Sequence, residues 1–180
     1  LLARLMEVNE EFTVEWGRAQ VDAGTTAVVY FDPLSSPTII PRELYLKTGF
    51  QVARRTISRI GGPVAMHFAS GRCIPILDDV VQTGVGVLCA GCEEDLGELK
   101  RLAKGRIALV GNLNGLEMRR WSPARVEEEV KRAIAVAGPG GGFILSDSHG
   151  EIPWQVSDEV IFAMGEAVRR WGEYPLDWRS

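Results

Sequence analysis

The chain has 180 residues, of which 46% are hydrophobic and 24% charged, with a formal net charge of −4. This profile is typical of a globular chain with a sizeable core, and we expect residues 1–180 to form a single domain. Because Lys and Arg are scattered and not clustered, we expect no binding to nucleic acid. No apolar run reaches the roughly 20 residues that span a bilayer, so we expect no membrane association and a cytoplasmic location.

Helical patterns and short apolar runs alternate along the whole chain. A first helix, with apolar residues at helical spacing, precedes Ala23-Gly24. Strands are predicted at 26–31, 64–68, 85–89, 107–110 and 143–145. Helices are predicted at 42–60, 75–82, 94–103, from Ser122-Pro123 onward, and 157–171. Because the chain begins in mid-helix without an initiator methionine, we expect a fragment of a longer protein.

Wholly apolar strands that alternate with helices indicate a parallel sheet covered on both faces. Five such strands fit either a doubly wound sheet or part of an eight-stranded barrel. Both architectures place the ligand site at the carboxyl ends of the strands. The residues that follow each strand are therefore the candidates for function.

Polar and thiol side chains are concentrated at these strand ends. They are Asp32, His67, Ser70, Arg72, Cys89, Cys92, Asn112, Asn114, Asp147, His149 and Glu151. Several also have an ordinary structural interpretation: His67 as a hydrogen-bonded core residue, the two cysteines as unreactive thiols, and Asp32 as an Asx-turn. Asn112, Asn114, the neighbouring Gly111, and His149 have an ordinary interpretation as turn residues. The run Gly138 to Gly142 precedes a strand and is predicted to be a connection. No GxGxxG, GxxxxGK[ST] or GxSxG motif is present.

Three segments carry a family resemblance. They are Gly111-Asn112-Leu113-Asn114-Gly115, the helix that begins Ser122-Pro123-Ala124, and Gly142-Phe143-Ile144-Leu145-Ser146 with His149-Gly150 before Pro153. In order and spacing they resemble the C-terminal region of the uroporphyrinogen decarboxylase superfamily, which contains porphyrinogen decarboxylases and methylcobamide:coenzyme M methyltransferases. The resemblance implies a (β/α)8 TIM-type barrel of class α/β, of which this chain covers roughly the last five β/α units.

The methyltransferase branch is the first functional hypothesis. There the resemblance implies a zinc site that activates a thiol acceptor, and a corrinoid supplied by a partner protein. Ala69 and His149 stand where that branch has cysteines, so His67 and His149 would need Cys89, Cys92, Asp147 or Glu151 to complete the site. The stretches 30–43 and 75–79 are similar to this branch and favour it.

The decarboxylase branch is the alternative, and it implies a tetrapyrrole substrate and no cofactor. Phe68-Ala69-Ser70-Gly71 and Ser146 to Gly150 resemble its motifs, whereas Asn114-Gly115 replaces its Asp-Pro. A third hypothesis is a non-catalytic member that has lost its ligands.

Three groups of site residues are predicted from these hypotheses together. Catalytic residues are His149, His67 and Asp32; substrate-binding residues are Asn112, Asn114, Ser70 and Arg72; candidate metal ligands are His67, His149, Cys89 and Cys92. We also expect the chain to associate with itself or with a missing N-terminal half, because half a barrel exposes strand edges.

Overall fold

The computed structural model describes residues 1–147 and 151–179. The strands are β1 (Val28–Phe31), β2 (Val64–His67), β3 (Val87–Cys89), β4 (Ala108–Leu113) and β5 (Phe143–Asp147). The helices are α1 (Leu2–Asp22), α2 (Arg42–Lys47), α3 (Gly49–Ile60), α4 (Leu77–Gln82), α5 (Leu96–Ala103), α6 (Pro123–Ala137) and α7 (Asp158–Trp171). Short 3-10 turns span Pro33–Ser35, Ile74–Ile76, Glu117–Arg120 and Asp177–Arg179. No helix in the described ranges is both long and apolar enough to cross a bilayer.

The strand order decides between the two architectures that the sequence allows. All neighbouring strands are parallel, and their order in the sheet is β1-β2-β3-β4-β5. A doubly wound sheet reverses its order at a switch point, whereas each strand of a barrel adds beside the previous one. The predicted barrel-type fold is confirmed, with five consecutive β/α units.

One row of side chains faces the helices and forms the core. Met66, Leu88 and Leu109 are register neighbours on β2, β3 and β4, and each is 0% exposed. Burial of such side chains contributes about 1.5–3 kcal/mol each. The opposite face of the sheet, which would line the inside of a barrel, carries exposed Val29, Phe31 and Ile144.

The first helix buries a different face from its most apolar one. Phe12 and Trp16 belong to the predicted apolar pattern, but they are exposed, whereas Val14 and Gly17 are buried. A Cβ on Gly17 would lie 2.9 Å from Ile60 Cγ1, so glycine allows α1 to approach α3 closely. Paired Glu and Arg side chains add to this contact: Glu10 with Arg55, and Glu11 with Arg59.

Most predicted boundaries lie within two residues of the observed ones, and two predicted elements differ more. The helix predicted over 42–60 is interrupted at Thr48, whose ψ of −91° is not helical. The strand predicted at 107–110 continues past Val110, because β4 pairs with β5 as far as Leu113; the ordinary interpretation of Gly111 and Asn112 as turn residues is therefore wrong. A Cβ on Gly111 would lie 2.8 Å from the Ala90 oxygen, so this glycine permits close approach of β3 and is not a chain reversal.

Candidate active site

A single row of side chains crosses the inner face of the sheet at its carboxyl end. The strand register aligns Phe31, His67, Cys89, Val110 and Ile144. This register brings the His67 imidazole and the Cys89 thiol onto neighbouring strands, as the sequence predicts for residues at strand ends. The row therefore forms the centre of the candidate site.

His67 has a defined ring orientation. Its Nδ1 accepts a hydrogen bond of 2.8 Å from the Ala69 backbone N–H, and its ring centroid lies 5.5 Å from that of Phe31. Because a neutral imidazole has one N–H and one bare nitrogen, the acceptor role of Nδ1 assigns the proton to Nε2. Ala69 adopts a left-handed φ of 53° to make this bond. The imidazole thus has a donor atom, not an acceptor, at its outer nitrogen.

Asp32 lies beside His67 at the end of β1. Its backbone N–H donates to the His67 carbonyl oxygen at 2.9 Å. Its carboxylate makes no hydrogen bond within the described residues and does not cap the 3-10 turn that follows. Burial, followed by the charge of Asp32, raises the pKa of Tyr30 to about 12. Asp32 is therefore a half-buried acid near a phenol that is protonated at neutral pH.

The loop of residues 68–74, called the β2 loop below, carries Ser70 and Arg72. Both side chains are exposed. The Arg72 backbone is fixed on both sides, because its N–H donates to Thr38 Oγ1 at 3.0 Å and its carbonyl accepts from Ser36 Oγ at 2.9 Å. Its guanidinium forms no ion pair in the described part of the chain. Arg72 is thus a cation at the rim, on an anchored backbone.

The two rim cysteines are thiols in different settings. Burial, followed by the Asp147 charge, raises the pKa of Cys89 to about 11, so this thiol is protonated at neutral pH. The Cys92 thiol donates to Glu93 Oε1 in a long contact of 3.9 Å. The Cys89 thiol therefore does not have the depressed pKa of a nucleophilic or metal-bound cysteine in its present surroundings.

The two asparagines make local structural bonds. Asn112 is 5% exposed, and its Nδ2 donates to the carbonyl oxygens of Gly91 (3.2 Å) and Glu94 (3.0 Å). Asn114 Oδ1 accepts from the N–H groups of Leu116 and Glu117, at 3.1 and 3.2 Å, and so stabilises the bend that leads into the 3-10 turn Glu117–Arg120. The structure places Asn112 in β4, two residues past Val110, and Asn114 in the turn that follows this strand. Their substrate-binding role stays a prediction.

His149 lies outside the described residues, and its catalytic and ligand roles stay predictions. Glu151, the first residue described after Asp147, is exposed. Sequence reasoning missed Glu94, which is 5% exposed and contacts the β2 loop. The run Glu93-Glu94-Asp95 before α5 resembles an ordinary charged helix start, so nothing in it indicates a buried carboxylate.

The described side chains fit a zinc ion poorly. In residues 1–147 and 151–179, no three His, Cys, Asp or Glu side chains converge into a group that could hold a metal ion. A metal-bound histidine usually donates an N–H from its other ring nitrogen to a carboxylate or carbonyl. His67 does the reverse, because its Nδ1 accepts from Ala69. The His67 geometry is that of a hydrogen-bond donor.

Known proteins agree with the fold and the motifs. The family model for uroporphyrinogen decarboxylase (URO-D) matches residues 1–171. The uroporphyrinogen decarboxylase of Bordetella parapertussis is 27% identical over 181 residues, covering 89% of this chain and 48% of the relative. That of Magnetococcus marinus is 28% identical over 177 residues, covering 93% and 48%.

The solved structures give the same architecture. A methyltransferase from Methanosarcina mazei superimposes with a TM-score of 0.81 at 20% identity, covering 93% of this chain and 48% of that protein. The chain spans about half the length of the curated relatives it matches. Since the family model covers nearly all of the chain, the chain belongs to the uroporphyrinogen decarboxylase family.

Proposed function

We propose that this chain forms part of the substrate rim of a decarboxylase that acts on a carboxylated tetrapyrrole, with His67 donating from Nε2 to a substrate carboxylate. The observation that carries the proposal is the hydrogen bond from the Ala69 N–H to His67 Nδ1. It leaves Nε2 as the protonated nitrogen, which suits a carboxylate and not a metal ion. The curated relatives, which are named uroporphyrinogen decarboxylases, support the same chemistry.

The reaction class sets what the rim must provide. Loss of a carboxylate breaks a C–C bond, releases CO2 and leaves a carbon that takes up a proton. A substrate of this kind needs donors that orient the carboxylate and an acid–base group near the carbon. His67 supplies the donor, and Arg72 supplies a cation at the same rim. The Asp32 carboxylate is available as the acid–base group.

Two substitutions of His67 separate the donor from the backbone contact. His67→Gln puts an amide N–H near the position of Nε2 but loses the Nδ1 acceptor. His67→Asn keeps an acceptor for the Ala69 N–H but does not reach the position of Nε2. A hydrogen bond to a charged group is worth about 1.5–3 kcal/mol, so we expect His67→Asn to lower kcat/KM about 10- to 100-fold.

The assay is removal of carboxylates from uroporphyrinogen by the intact protein, followed by mass spectrometry of the product. We expect His67→Gln to retain more activity than His67→Asn. Equal loss in both variants would contradict the donor role. Full activity in both variants and in Asp32→Asn would contradict the proposed roles of His67 and Asp32. Absence of decarboxylation in the unsubstituted intact protein would favour a non-catalytic member of the family.

Corrinoid-linked methyl transfer is the second candidate, because Cys89 stands beside His67 on the neighbouring strand. Imidazole and thiolate are ligands that suit zinc. This candidate requires further zinc ligands from outside residues 1–147 and 151–179, because the described residues contain no group of three that could hold the ion; a partner protein would bring the corrinoid. Two measurements distinguish the candidates. Elemental analysis of zinc-loaded intact protein supports methyl transfer if it finds stoichiometric zinc that is lost in both Cys89→Ser and His67→Gln. The decarboxylation assay supports the first proposal if Cys89→Ser retains activity.

A further inference from the structure

The β2 loop is in close contact with both neighbouring strand-end loops. On the β1 side, Ser36 and Thr38 bind the Arg72 backbone. On the β3 side, a Cβ on Gly91 would lie 3.0 Å from the Ser70 carbonyl oxygen, so the two backbones touch. The loop contains the Ala69 N–H that assigns the His67 tautomer. Whatever fixes this loop therefore also fixes the proton on His67.

Glu94 makes the strongest of these contacts. Its Oε1 accepts hydrogen bonds from two consecutive backbone N–H groups, those of Cys73 and Ile74, the latter at 3.1 Å. These N–H groups open the 3-10 turn Ile74–Ile76, where the first amides have no partner within the turn. A carboxylate from another loop thus caps this turn, and its charge matches the turn's positive end.

Glu94 is itself fixed in place. Its backbone N–H donates to the Gly91 carbonyl at 3.1 Å, and its own carbonyl accepts from Asn112 Nδ2 at 3.0 Å. Asn112 belongs to β4, so a single residue connects the ends of β2, β3 and β4. The contact is anchored to the sheet and does not depend on a flexible loop.

The surroundings of Glu94 are unfavourable for a residue whose role is stability alone. Glu94 is 5% exposed, and its Oε2 is buried without a hydrogen-bond partner in the described part of the chain. Burial, followed by the Glu94 charge, holds the pKa of the Cys73 thiol above its ordinary range. A buried acid that is only partly satisfied stabilises a fold poorly compared with an apolar side chain. A role in the site accounts for its presence.

We propose that Glu94 is a positioning residue that holds the β2 loop, and thereby the Ala69 N–H, in the arrangement that keeps the His67 proton on Nε2. This inference rests on the proposed function for its catalytic consequence. Its structural part, the tautomer, can be measured without any substrate.

Three variants test the proposal in the intact protein. Glu94→Ala removes the acceptor of the Cys73 and Ile74 amides. Glu94→Gln keeps a carbonyl oxygen that can accept both bonds and controls for loss of charge. Glu93→Ala is the matched control, because Glu93 is an adjacent, exposed glutamate. Amide hydrogen exchange of residues 68–76 and nitrogen NMR of His67 are the readouts.

In Glu94→Ala we expect exchange at Cys73 and Ile74 to rise about tenfold or more, and the His67 signals to show both tautomers in exchange. Glu94→Gln and Glu93→Ala should retain the Nε2–H tautomer and wild-type exchange. In the intact protein, kcat/KM should fall about tenfold in Glu94→Ala and be largely restored in Glu94→Gln. A single Nε2–H tautomer in Glu94→Ala overturns the inference, whatever its activity.

The same measurements separate this inference from the proposed function. Mixed tautomers in Glu94→Ala, together with fully active His67 variants, would refute the donor role of His67 in the proposed function and leave the positioning role of Glu94 intact. Inactive His67→Asn, together with an unchanged tautomer in Glu94→Ala, would refute the positioning role alone.

Discussion

The contact between Gly91 and the β2 loop can be tested by adding one methyl group. In Gly91→Ala the new Cβ would lie 3.0 Å from Ser70 O, 3.2 Å from Ser70 C and 3.4 Å from Gly71 O. All three are backbone atoms, so relief requires the two loops to separate by a few tenths of an ångström. Overpacking of this kind costs about 1–3 kcal/mol.

Gly86 provides the matched control at the opposite end of β3. A Cβ there meets no atom within 4 Å, so Gly86→Ala should change the free energy of unfolding by no more than about 1 kcal/mol, with stabilisation expected. The assay is urea unfolding of both variants, with hydrogen exchange of residues 68–74. Equal stability of the two variants, or a loss confined to Gly86→Ala, would refute the reasoning.

Two further predictions follow from raised pKa values. Cys89 has a folded pKa of about 11 against an ordinary 9, and Tyr30 one of about 12 against 10, so the unfolded chain loses these protons first as pH rises. The free energy of unfolding, measured by urea unfolding, should therefore fall between about pH 9 and pH 12. Below about pH 8 it should not depend on these two groups. A free energy of unfolding that stays constant from about pH 8 to about pH 10.5 would contradict this prediction. The rate of alkylation of Cys89 in the folded chain should be half-maximal near pH 11. Asp147→Asn should lower the pH of this midpoint, and burial should keep it above the ordinary thiol pKa of 9. Asp22→Asn, at the end of α1, should leave the midpoint unchanged, and an equal shift in both variants would exclude a specific effect of Asp147.

Much of the fold follows from local patterns. Apolar strand segments, separated by helical segments with glycines at their ends, predict the five strands and their parallel arrangement. The predictions fail where a tertiary contact outweighs local preference. Gly111 is typical of a turn, yet it lies in β4 because only a residue without Cβ fits against Ala90. Thr48 interrupts a helical pattern where Gly49 packs against Ser35.

The candidate site shows the same division. That His67 and Cys89 share one rim follows from their positions at the ends of parallel strands. Which nitrogen of His67 carries its proton does not follow, because this depends on a backbone N–H two residues further along the chain in an unusual conformation. The role of Asn112 likewise depends on carbonyl groups 18 and 21 residues away.

Hydrophobic period and motif order are local properties of the chain, so the class of fold, the family resemblance and the strand ends at which chemistry is to be sought can all be predicted from the sequence. The strand order, the buried face of α1 and the contact of Glu94 with the β2 loop are visible only in the folded chain. These depend on which backbone groups from distant segments approach within hydrogen-bond distance. Glu93 and Glu94 are neighbours in the sequence, but Glu93 is exposed and Glu94 is buried, and only the folded surroundings distinguish them.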